Sequence, residues 1–465
     1  MILKEKVSTQ KIRGGYYTPS QLADFIVKKT YKKDLEILEP SCGDGVFIES
    51  ILKIYENNEF KSFDAVEIID EEVKKCKKIA KDSSKINIIN DDFYNFYRDT
   101  EKKYDLIVGN PPYIRYQYLT EEQRKRQAEV LVKNNMKSNK LINSWVFFLV
   151  ACIDLLKDDG TIAFIIPAEL LQVAYAEDLR NYLSRNLSNV LVISFDELVF
   201  SEAQQEVVIL IGTKSTKHNN ECEISNLSYR NIEDLKNNFK DEHIDYSKII
   251  SNEKWTRYYL NGTQNELIEK YNKSNKFVKL KDIAIVNVGV TTGNNDYFSL
   301  TKDLVKKYDL KNYTTPLIGR SAQANSIIFD YEDWKINVNK GAKAFLLTIN
   351  ENVEYDDFNK NQKSYIRLGE KNGENTGYKC RIRNKWYAIP SIWIPDAFLL
   401  RRSNIYPKFV LNSLDAISTD TMHRIKFNQG VNKNKAILSY YNSISFAFAE
   451  LCGRSYGRWS IGNIT

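Results

Sequence analysis

Apolar and polar positions along the first 215 residues follow a pattern typical of strands that alternate with helices. An early helix has Ser20 as its candidate cap, and other helical patterns cover about 46–58, 71–82, 143–156 and 168–186. Short apolar runs of strand length lie at 35–38, 63–69, 86–89, 104–108, 161–166, 190–195 and 207–211. This alternation predicts an α/β fold with a doubly wound, mostly parallel seven-stranded sheet over residues 1–215. The last two runs are joined by a loop without room for a helix, so we expect the final strand to be antiparallel.

The pattern changes after residue 215. Residues 216–262 are polar and irregular, which predicts a linker or peripheral segment. From 263 to 465, short β-like runs at 283–290, 326–329 and 385–389 are broken by Gly, Asn and Pro, and 433–452 has a helical pattern. A second, β-rich α+β domain is therefore expected over 263–465.

Charge divides the chain into two unlike halves. Residues 251–465 hold 32 Lys and Arg against 20 Asp and Glu, whereas residues 1–250 hold 35 against 40. A basic half suggests a polyanionic partner, although solvated lysines of a Lys-rich composition explain it equally well when it is taken alone.

Other features of composition restrict the class of protein. The six cysteines contain no CxxC pair, so neither a metal site nor a disulfide framework is expected. The N-terminal residues lack an apolar signal core, and no run of 18 apolar residues occurs, so we expect a cytoplasmic protein without a membrane anchor.

A glycine-containing turn follows the first predicted strand. The run 38–47 reads LEPSCGDGVF, in which Gly43 and Gly45 allow a tight turn and close approach of the backbone to a ligand. Neither a complete dinucleotide fingerprint nor a phosphate-binding P-loop is present. The turn alone is compatible with several kinds of nucleotide.

Acidic residues follow the next two strands. Glu67 ends the second strand, where a carboxylate can accept both ribose hydroxyls of a nucleoside, and Asp91-Asp92-Phe93 follows the third. Each acidic residue alone is more often a helix cap than a ligand. Together with the glycine turn they predict a nucleoside site, because ligands of open parallel sheets bind at the carboxyl ends of strands.

The tetrapeptide Asn110-Pro111-Pro112-Tyr113 follows the fourth strand. Two prolines fix the backbone and remove two N–H donors, so the loop presents acceptors. The Asn110 side-chain oxygen and the Pro111 carbonyl can hold both N–H groups of an amine and turn its lone pair toward a methyl donor. Tyr113 offers an aromatic face to a planar substrate. This pattern predicts methylation of a planar nitrogen.

An amine on a base within a duplex would have to be flipped out and received between aromatic or apolar side chains. Phe200, in the loop Val199-Phe200-Ser201-Glu202-Ala203, is the candidate for a second wall opposite Tyr113. A core phenylalanine is the equally weighted alternative.

These motifs together resemble the TaqI-type, gamma-class DNA adenine-N6 methyltransferases of restriction-modification systems. The run 14–19, GGYYTP, is similar to the motif that this family places ahead of the glycine turn. The resemblance implies S-adenosyl-L-methionine as cofactor, a flipped adenine in double-stranded DNA as target, and the family's order of motifs. It implies cofactor contacts by Tyr17, Thr18, Pro19, Glu39, Ser41, Gly43, Gly45, Glu67, Ile68, Asp92, Phe93 and Asn110, with Asp91 competing with Asp92.

The basic half is similar to the target-recognition domains of such enzymes. The runs 280–284 (LKDIA), 289–294 (GVTTGN) and 385–390 (KWYAIP) carry this looser likeness, which implies loops that read DNA bases. The run Arg454-Ser455-Tyr456-Gly457 departs from the family because Arg458-Trp459 follows and the chain stops at Thr465, so we expect a recognition domain shortened at its C-terminus. The resemblance also implies a monomer or weak dimer that is associated with the nucleoid and has a separate restriction endonuclease as partner.

Alternatives remain open at this point. The tetrapeptide also serves RNA and protein-glutamine methyltransferases, and a cytosine-N4 enzyme shares its chemistry. A cytosine-C5 enzyme is excluded because the Pro-Cys nucleophile of that chemistry does not occur in the chain. A non-catalytic DNA-specificity protein is the alternative outside the enzymes.

Overall fold

The computed structural model describes residues 16–55, 59–81, 83–200, 205–215, 221–241, 244–249, 254–403, 406–455 and 461–462. The chain forms two compact units that divide between Asn265 and Glu266. The first unit carries the predicted catalytic motifs. The boundary falls three residues after the expected end of the polar segment, residue 262.

A mostly parallel sheet forms the frame of the first unit. Its spatial order is β3-β2-β1-β4-β5-β7-β6-β8-β9. The strands are β1 (Glu36–Glu39), β2 (Ser62–Glu67), β3 (Ile86–Asn90), β4 (Tyr104–Gly109), β5 (Leu156–Pro167), β6 (Leu187–Phe195), β7 (Val207–Lys214), β8 (Glu223–Tyr229) and β9 (Ser247–Lys248). β7 is antiparallel to both β5 and β6, which confirms the expected reversal of the last strand of the predicted set.

The sheet has nine strands where the sequence predicted seven. β8 lies in the segment predicted as a linker or peripheral, yet it pairs in parallel with β6 over seven residues. Its residues Ile224, Ser225 and Asn226 are buried. The polar character of β8 hid it from the hydrophobic pattern, because the ladder depends on backbone hydrogen bonds and not on apolar side chains.

Helices pack against the strands of this sheet. They are α1 (Ser20–Lys29), α2 (Val46–Ile54), α3 (Asp70–Ile79), α4 (Phe93–Asp99), α5 (Glu121–Lys133), α6 (Ser144–Leu155), α7 (Glu177–Asn186) and α8 (Ile232–Asn238). α6 is apolar on nearly every side, and all of its residues except Asp154 are buried, with Trp145 wholly so. A helix that is apolar all round must be enclosed by protein.

Two predicted helices differ in detail. Ser20 is the first residue of α1 and makes no side-chain capping bond, because Pro19 precedes it and the Pro19 carbonyl accepts from Leu22 and Ala23 N–H. The predicted helix 168–186 is broken into two 3₁₀ turns and α7. The buried Arg180 side chain donates to the Leu170 and Val173 carbonyls, which satisfies backbone groups that a continuous helix would have paired.

The parallel order brings the predicted motifs to one edge. β1 pairs with β2, with Glu39 opposite Ala65, and with β4, with Leu38 opposite Ile107. β2 pairs in turn with β3, with Glu67 opposite Asn90. The carboxyl ends of these four strands therefore meet, and each is followed by one of the predicted motifs.

The second unit is built on smaller sheets. A five-stranded sheet has the order β10 (Ala284–Val288), β19 (Met422–Phe427), β15 (Ala397–Leu400), β17 (Phe409–Asn412) and β13 (Ile328–Phe329). A four-stranded sheet has the order β11 (Ser299–Leu300), β14 (Phe345–Leu347), β12 (Thr314–Ile318) and β18 (Ile417–Ser418). A three-stranded sheet consists of β16 (Arg402–Ser403), β21 (Ile461–Gly462) and β20 (Arg454–Ser455).

Helices of the second unit lie between these strands. The longer ones are α9 (Gly262–Asn272), which crosses the division between the units, α10 (Lys302–Lys307), α11 (Tyr331–Asn339), α12 (Lys360–Lys371), α13 (Lys433–Tyr440) and α14 (Ser443–Cys452). The predicted helix 433–452 is thus two helices, because the Asn442 side chain caps a new one by accepting from Ser445 N–H. The predicted β-like run 385–389 is wrong: it forms a turn in which Ala388 N–H donates to the Lys385 carbonyl.

Helices in the described part of the chain are all too short or too polar to span a bilayer.

Candidate active site

Asn110 leaves the end of β4 with its side-chain amide fixed in orientation. Its Nδ2 donates to the Tyr16 carbonyl at 2.8 Å and to Thr18 Oγ1 at 3.2 Å. Both acceptors belong to the segment before α1. Thr18 is buried, with 7% of its surface exposed, and so anchors this segment to the protein. Because Nδ2 is held on one side, the amide oxygen Oδ1 is directed to the other.

Tyr113 meets that oxygen. Its hydroxyl lies 2.7 Å from Asn110 Oδ1 and 3.0 Å from the Ile165 carbonyl on β5, both within hydrogen-bonding distance. Burial raises the pKa of the Tyr113 phenol well above its usual range, so the group is a neutral hydroxyl donor. A phenol has one proton, so it can donate to one of these two acceptors at a time.

Ser144, the first residue of α6, fixes the proline loop by hydrogen bonds. Its hydroxyl donates to the Pro112 carbonyl and accepts from Ile114 N–H at 2.9 Å, and its own N–H donates to the Ile114 carbonyl. None of the described residues donates to the Pro111 carbonyl. Among the described residues, the Pro111 carbonyl is thus unpaired, and Asn110 Oδ1 accepts from Tyr113 alone.

Tyr16 lies beside the two predicted walls of the base site. Its ring centroid is 5.9 Å from that of Tyr113 and 5.6 Å from that of Phe200, with which it is stacked. Phe200 is buried, as the alternative of a core phenylalanine has it, and its role as a wall of the base site stays a prediction. Ser201 to Ala203 of the same loop lie outside the described residues.

The glycine turn after β1 adopts the expected conformation. Gly43 and Gly45 have positive φ angles of 52° and 89°, which residues with a Cβ rarely adopt. A Cβ on Gly45 would lie 2.8 Å from Ile79 Cδ1, whereas one on Gly43 would meet no atom within 4 Å. Gly45 is thus required by packing against α3, and Gly43 faces open space. Ser41 Oγ donates to the Asn110 carbonyl at 3.4 Å and ties this turn to the proline loop.

Glu67 at the end of β2 lies beside the turn. Its two carboxylate oxygens accept from Gly43 N–H and Ile69 N–H, each at 2.9 Å. Burial raises the pKa of this carboxyl, and the backbone N–H donors partly offset that rise. Ile68, next in the chain, is 58% exposed and offers an apolar surface beside the carboxylate.

Glu39 at the end of β1 is a buried acid with an unsatisfied atom. It is 1% exposed, and its Oε2 has no hydrogen-bond partner among the described residues. Burial, together with the nearby Cys76, Glu67 and Asp44, raises the pKa of Glu39 well above its ordinary value. Such a group is costly to keep in the fold unless a cationic ligand pairs with it.

The residues after β3 are engaged differently from expectation. The Asp92 carboxylate caps α4 by accepting from Tyr94 N–H at 3.0 Å and accepts from Gln123 Nε2 at 2.9 Å. This is the role of a helix cap, which the sequence offers as the alternative to a role in binding the cofactor. Asp91 Oδ1 accepts from Asp92 N–H and Asn95 Nδ2, which leaves its Oδ2 without a donor among the described residues.

Phe93 lies in the core and not on the pocket surface. Its ring is 3% exposed and stacks on Phe148 with the centroids 4.8 Å apart. α4 begins at this residue and directs it toward α6. Ile68 is therefore the apolar side chain that remains accessible near Glu67, while cofactor stacking by Phe93 stays a prediction.

The segment before α1 connects the site to α3 as well. Tyr17 is half exposed, and its hydroxyl donates to Glu72 Oε1 at 3.1 Å. Burial and the Glu72 charge raise the pKa of Tyr17. Sequence reasoning named Tyr17 but missed Glu72, Ser144 and the ring position of Tyr16, since none of these shows a signal until strands and helices are brought together. Gly14 and Gly15 of the same motif lie outside the described residues.

Comparison with known families places each half of the chain. Residues 25–200 match the family model "Eco57I restriction-modification methylase", and residues 252–458 match "Type II methyltransferase M.Eco57I, C-terminal domain". The first match lies within the first unit, and the second begins 14 residues before the division and covers most of the second unit.

Curated relatives agree with this assignment. Type II methyltransferase M.AccI of Acinetobacter calcoaceticus is 27% identical over 436 residues, which cover 90% of this chain and 76% of the relative. Type II methyltransferase M.HincII of Haemophilus influenzae is 32% identical over 234 residues, 50% of this chain and 42% of the relative. The chain thus spans less than half the length of M.HincII.

Solved structures share the fold at low identity. The Type IIL restriction-modification enzyme MmeI, solved in complex with DNA, aligns with a TM-score of 0.56 and 13% identity over 96% of this chain and 63% of that one. DrdV, solved as a DNA complex, aligns with a TM-score of 0.52 and 15% identity over 97% and 56%.

The residues at the strand ends fit S-adenosyl-L-methionine, the cofactor of such enzymes. The unpaired Glu39 Oε2 suits a cationic ammonium group, and the space above Gly43 suits a ligand held close to the backbone. On these matches and this fold, the two halves of the chain are similar to the two domains of Eco57I-type methyltransferases of restriction-modification systems, and the chain uses S-adenosyl-L-methionine.

Proposed function

We propose that this protein transfers the methyl group of S-adenosyl-L-methionine to the N6 amino group of an adenine in double-stranded DNA. The observation that supports this most is the fixed amide of Asn110, whose Nδ2 is held by Tyr16 and Thr18 while Oδ1 points to Tyr113. An amide fixed in this way presents an acceptor in one direction.

The amine of adenine is a poor nucleophile because its lone pair is delocalised into the ring. Asn110 Oδ1 and the Pro111 carbonyl accept its two N–H groups and hold the nitrogen so that the lone pair points out of the ring plane. Positioning of this kind supplies up to about 7–11 kcal/mol in ideal cases. The cofactor supplies an electrophilic methyl group on a sulfonium centre, so the chain needs no nucleophile of its own.

Residues at the strand ends hold the cofactor in this proposal. Glu39 pairs with its ammonium group, and Glu67 accepts from its ribose hydroxyls. Ile68 packs on the adenine ring, and the amino group of that ring binds Asp92 or the free oxygen of Asp91. Tyr17, Thr18, Pro19, Ser41, Gly43 and Gly45 surround the methionine end.

A base in a duplex reaches this site only by leaving the stack, at a cost of a few kcal/mol. Tyr113 then provides one aromatic wall. The second unit provides sequence recognition in this proposal, supported by the basic half of the chain and by the match to the C-terminal domain of M.Eco57I. Lys and Arg contacts to phosphates predict that affinity for DNA falls steeply as salt is raised.

A labelling experiment tests the proposed function. The full chain is incubated with tritiated S-adenosyl-L-methionine and duplex DNA, and the nucleosides are separated after digestion. We expect label in N6-methyl-2′-deoxyadenosine, with Asn110→Ala losing transfer but retaining cofactor binding. Label in N4-methyl-2′-deoxycytidine would identify the cytosine-N4 alternative. Label only in parallel reactions that supply RNA or protein in place of DNA would identify those alternatives.

A host assay complements the labelling. Sequencing the DNA of cells that express the chain should reveal one modified motif, absent with Asn110→Ala. Specific DNA binding with no modified base under any condition would favour the non-catalytic specificity protein. A restriction endonuclease with the same motif, encoded separately, is the partner that this function implies.

A further inference from the structure

Three aromatic rings stand in a row at the proposed target-base site. Tyr16 is the middle ring, 5.9 Å from Tyr113 and 5.6 Å from Phe200, and its plane is inclined by 24° to that of Phe200. Centroid separations in this range are those of rings in contact. A ring in contact with both neighbours leaves no room for another planar group between them.

The hydroxyl of Tyr16 differs from those of Tyr113 and Tyr17 in its hydrogen bonds to the described residues. The Tyr113 hydroxyl has two acceptors, and the Tyr17 hydroxyl donates to Glu72. No described residue makes a hydrogen bond to the Tyr16 hydroxyl, and the residue is only partly buried. Side-chain rotation can therefore move this ring without breaking a hydrogen bond.

The backbone of Tyr16 is fixed at the same time. Its carbonyl accepts from Asn110 Nδ2 at 2.8 Å, and Thr18, two residues on, accepts from the same nitrogen. A rotation about the Tyr16 side chain thus leaves the catalytic amide in place. The site can open for a base without losing the orientation of Asn110.

We propose that Tyr16 is a residue of the target-base pocket, whose ring holds the place of the base between Tyr113 and Phe200 and is displaced by the flipped base. This inference rests on the proposed function and adds that the Tyr16 ring competes with the target base for the same place in the pocket. In the free protein the three rings stay in contact. A base that enters the pocket must displace the Tyr16 ring from its contacts with Tyr113 and Phe200. This added cost favours bases that leave the DNA stack easily.

Fluorescence of 2-aminopurine tests the competition. The analogue replaces the target adenine in a duplex carrying the motif found by sequencing, and its emission rises when it leaves the base stack. With saturating protein, we expect Tyr16→Ala to give at least about twice the emission of the unmodified chain. Tyr16→Phe keeps the ring and is the matched control, so its emission should equal that of the unmodified chain. Lower emission from Tyr16→Ala, with unchanged duplex affinity, would show that the ring supports the flipped base and would overturn the proposal.

A second measurement follows the ring itself. A fluorinated tyrosine is introduced at position 16 alone, and its fluorine resonance is recorded with and without duplex. Target duplex should move the resonance toward that of an exposed tyrosine, and a duplex lacking the motif should not. An unchanged resonance in a protein that methylates the duplex would remove this inference only. Failure of the unmodified chain to methylate any DNA would remove the proposed function and this inference with it.

Discussion

The hydroxyl of Tyr113 lies 2.7 Å from the side-chain oxygen of Asn110, the atom proposed to receive an amine hydrogen. The Ile165 carbonyl lies 3.0 Å from the same hydroxyl and offers it a second acceptor. An arriving amine can therefore displace the phenol from Asn110 without leaving a buried hydroxyl unpaired. In the proposed mechanism Tyr113 has two separable parts, a ring that stacks on the base and a hydroxyl that hydrogen-bonds Asn110 Oδ1.

Substitutions at Tyr113 should separate these parts. Tyr113→Phe removes the hydroxyl while Tyr16 and Thr18 still hold the amide, so we expect single-turnover methyl transfer within about threefold of the unmodified rate. Tyr113→Ala also removes the stacking surface, which is worth about 1–3 kcal/mol per base, so the rate should fall by roughly 5- to 150-fold. Equal loss in both variants would assign the effect to the hydroxyl.

Ser144→Ala should slow transfer without weakening cofactor binding. The substitution removes the bonds to the Pro112 carbonyl and Ile114 N–H and so loosens the loop. A lost buried hydrogen bond costs about 0.5–1.5 kcal/mol, which corresponds to a rate about two- to tenfold lower. Ser144→Thr, which keeps a hydroxyl, is the control. A changed cofactor Kd with an unchanged transfer rate would show that Ser144 supports cofactor binding and not the proline loop.

Glu39→Gln should make the stability of the cofactor-free protein less dependent on pH. The pKa of Glu39 in the folded chain is raised by burial above its ordinary value of 4.5. The stability contributed by its protonated form is full below that ordinary value and is lost as the pH rises through the raised one. The side-chain amide of the variant does not ionise in this range. The Tm of the variant should therefore exceed that of the unmodified chain by more at pH 8 than at pH 5. The cofactor Kd of the variant should rise. The same gain at both pH values would contradict a raised pKa.

Alanine substitutions at the two glycines of the turn should affect different properties, stability at Gly45 and cofactor binding at Gly43. Gly45→Ala strains a φ of 89° and brings a Cβ to 2.8 Å from Ile79, so it should lower Tm clearly. Gly43→Ala incurs a conformational cost of about 1–2 kcal/mol and projects its methyl into open space. Its main effect should be a weaker cofactor Kd by isothermal titration. An unchanged Kd in Gly43→Ala would separate this position from the cofactor.

Sequence patterns located most of the catalytic frame because its signals are local. Apolar runs marked the strands, and Glu39, Glu67 and Asn110 follow strands whose parallel pairing brings their ends together. The partners of these residues come from elsewhere in the chain, as with Ser144 and Tyr16. Nothing in the local pattern of those segments indicates which strand end they meet.

The second unit was harder to predict, since its strands are short and share their sheets with distant segments. β10 pairs with β19, so residue 284 lies opposite residue 427. The aromatic run 385–389 has the composition of a strand, yet Trp386 and Tyr387 pack in a cluster with Tyr297 and Phe358. Tertiary packing there outweighs β-propensity.

One amide joins the segment before the first helix to the end of the fourth strand, across 92 and 94 residues of sequence. Residues 16–19 form no strand of the sheet, yet two of them supply both acceptors of the Asn110 nitrogen. Cleavage of the chain after Thr18 would remove both acceptors and free the amide to rotate. The orientation of Asn110 thus depends on a short segment that is far from it in sequence.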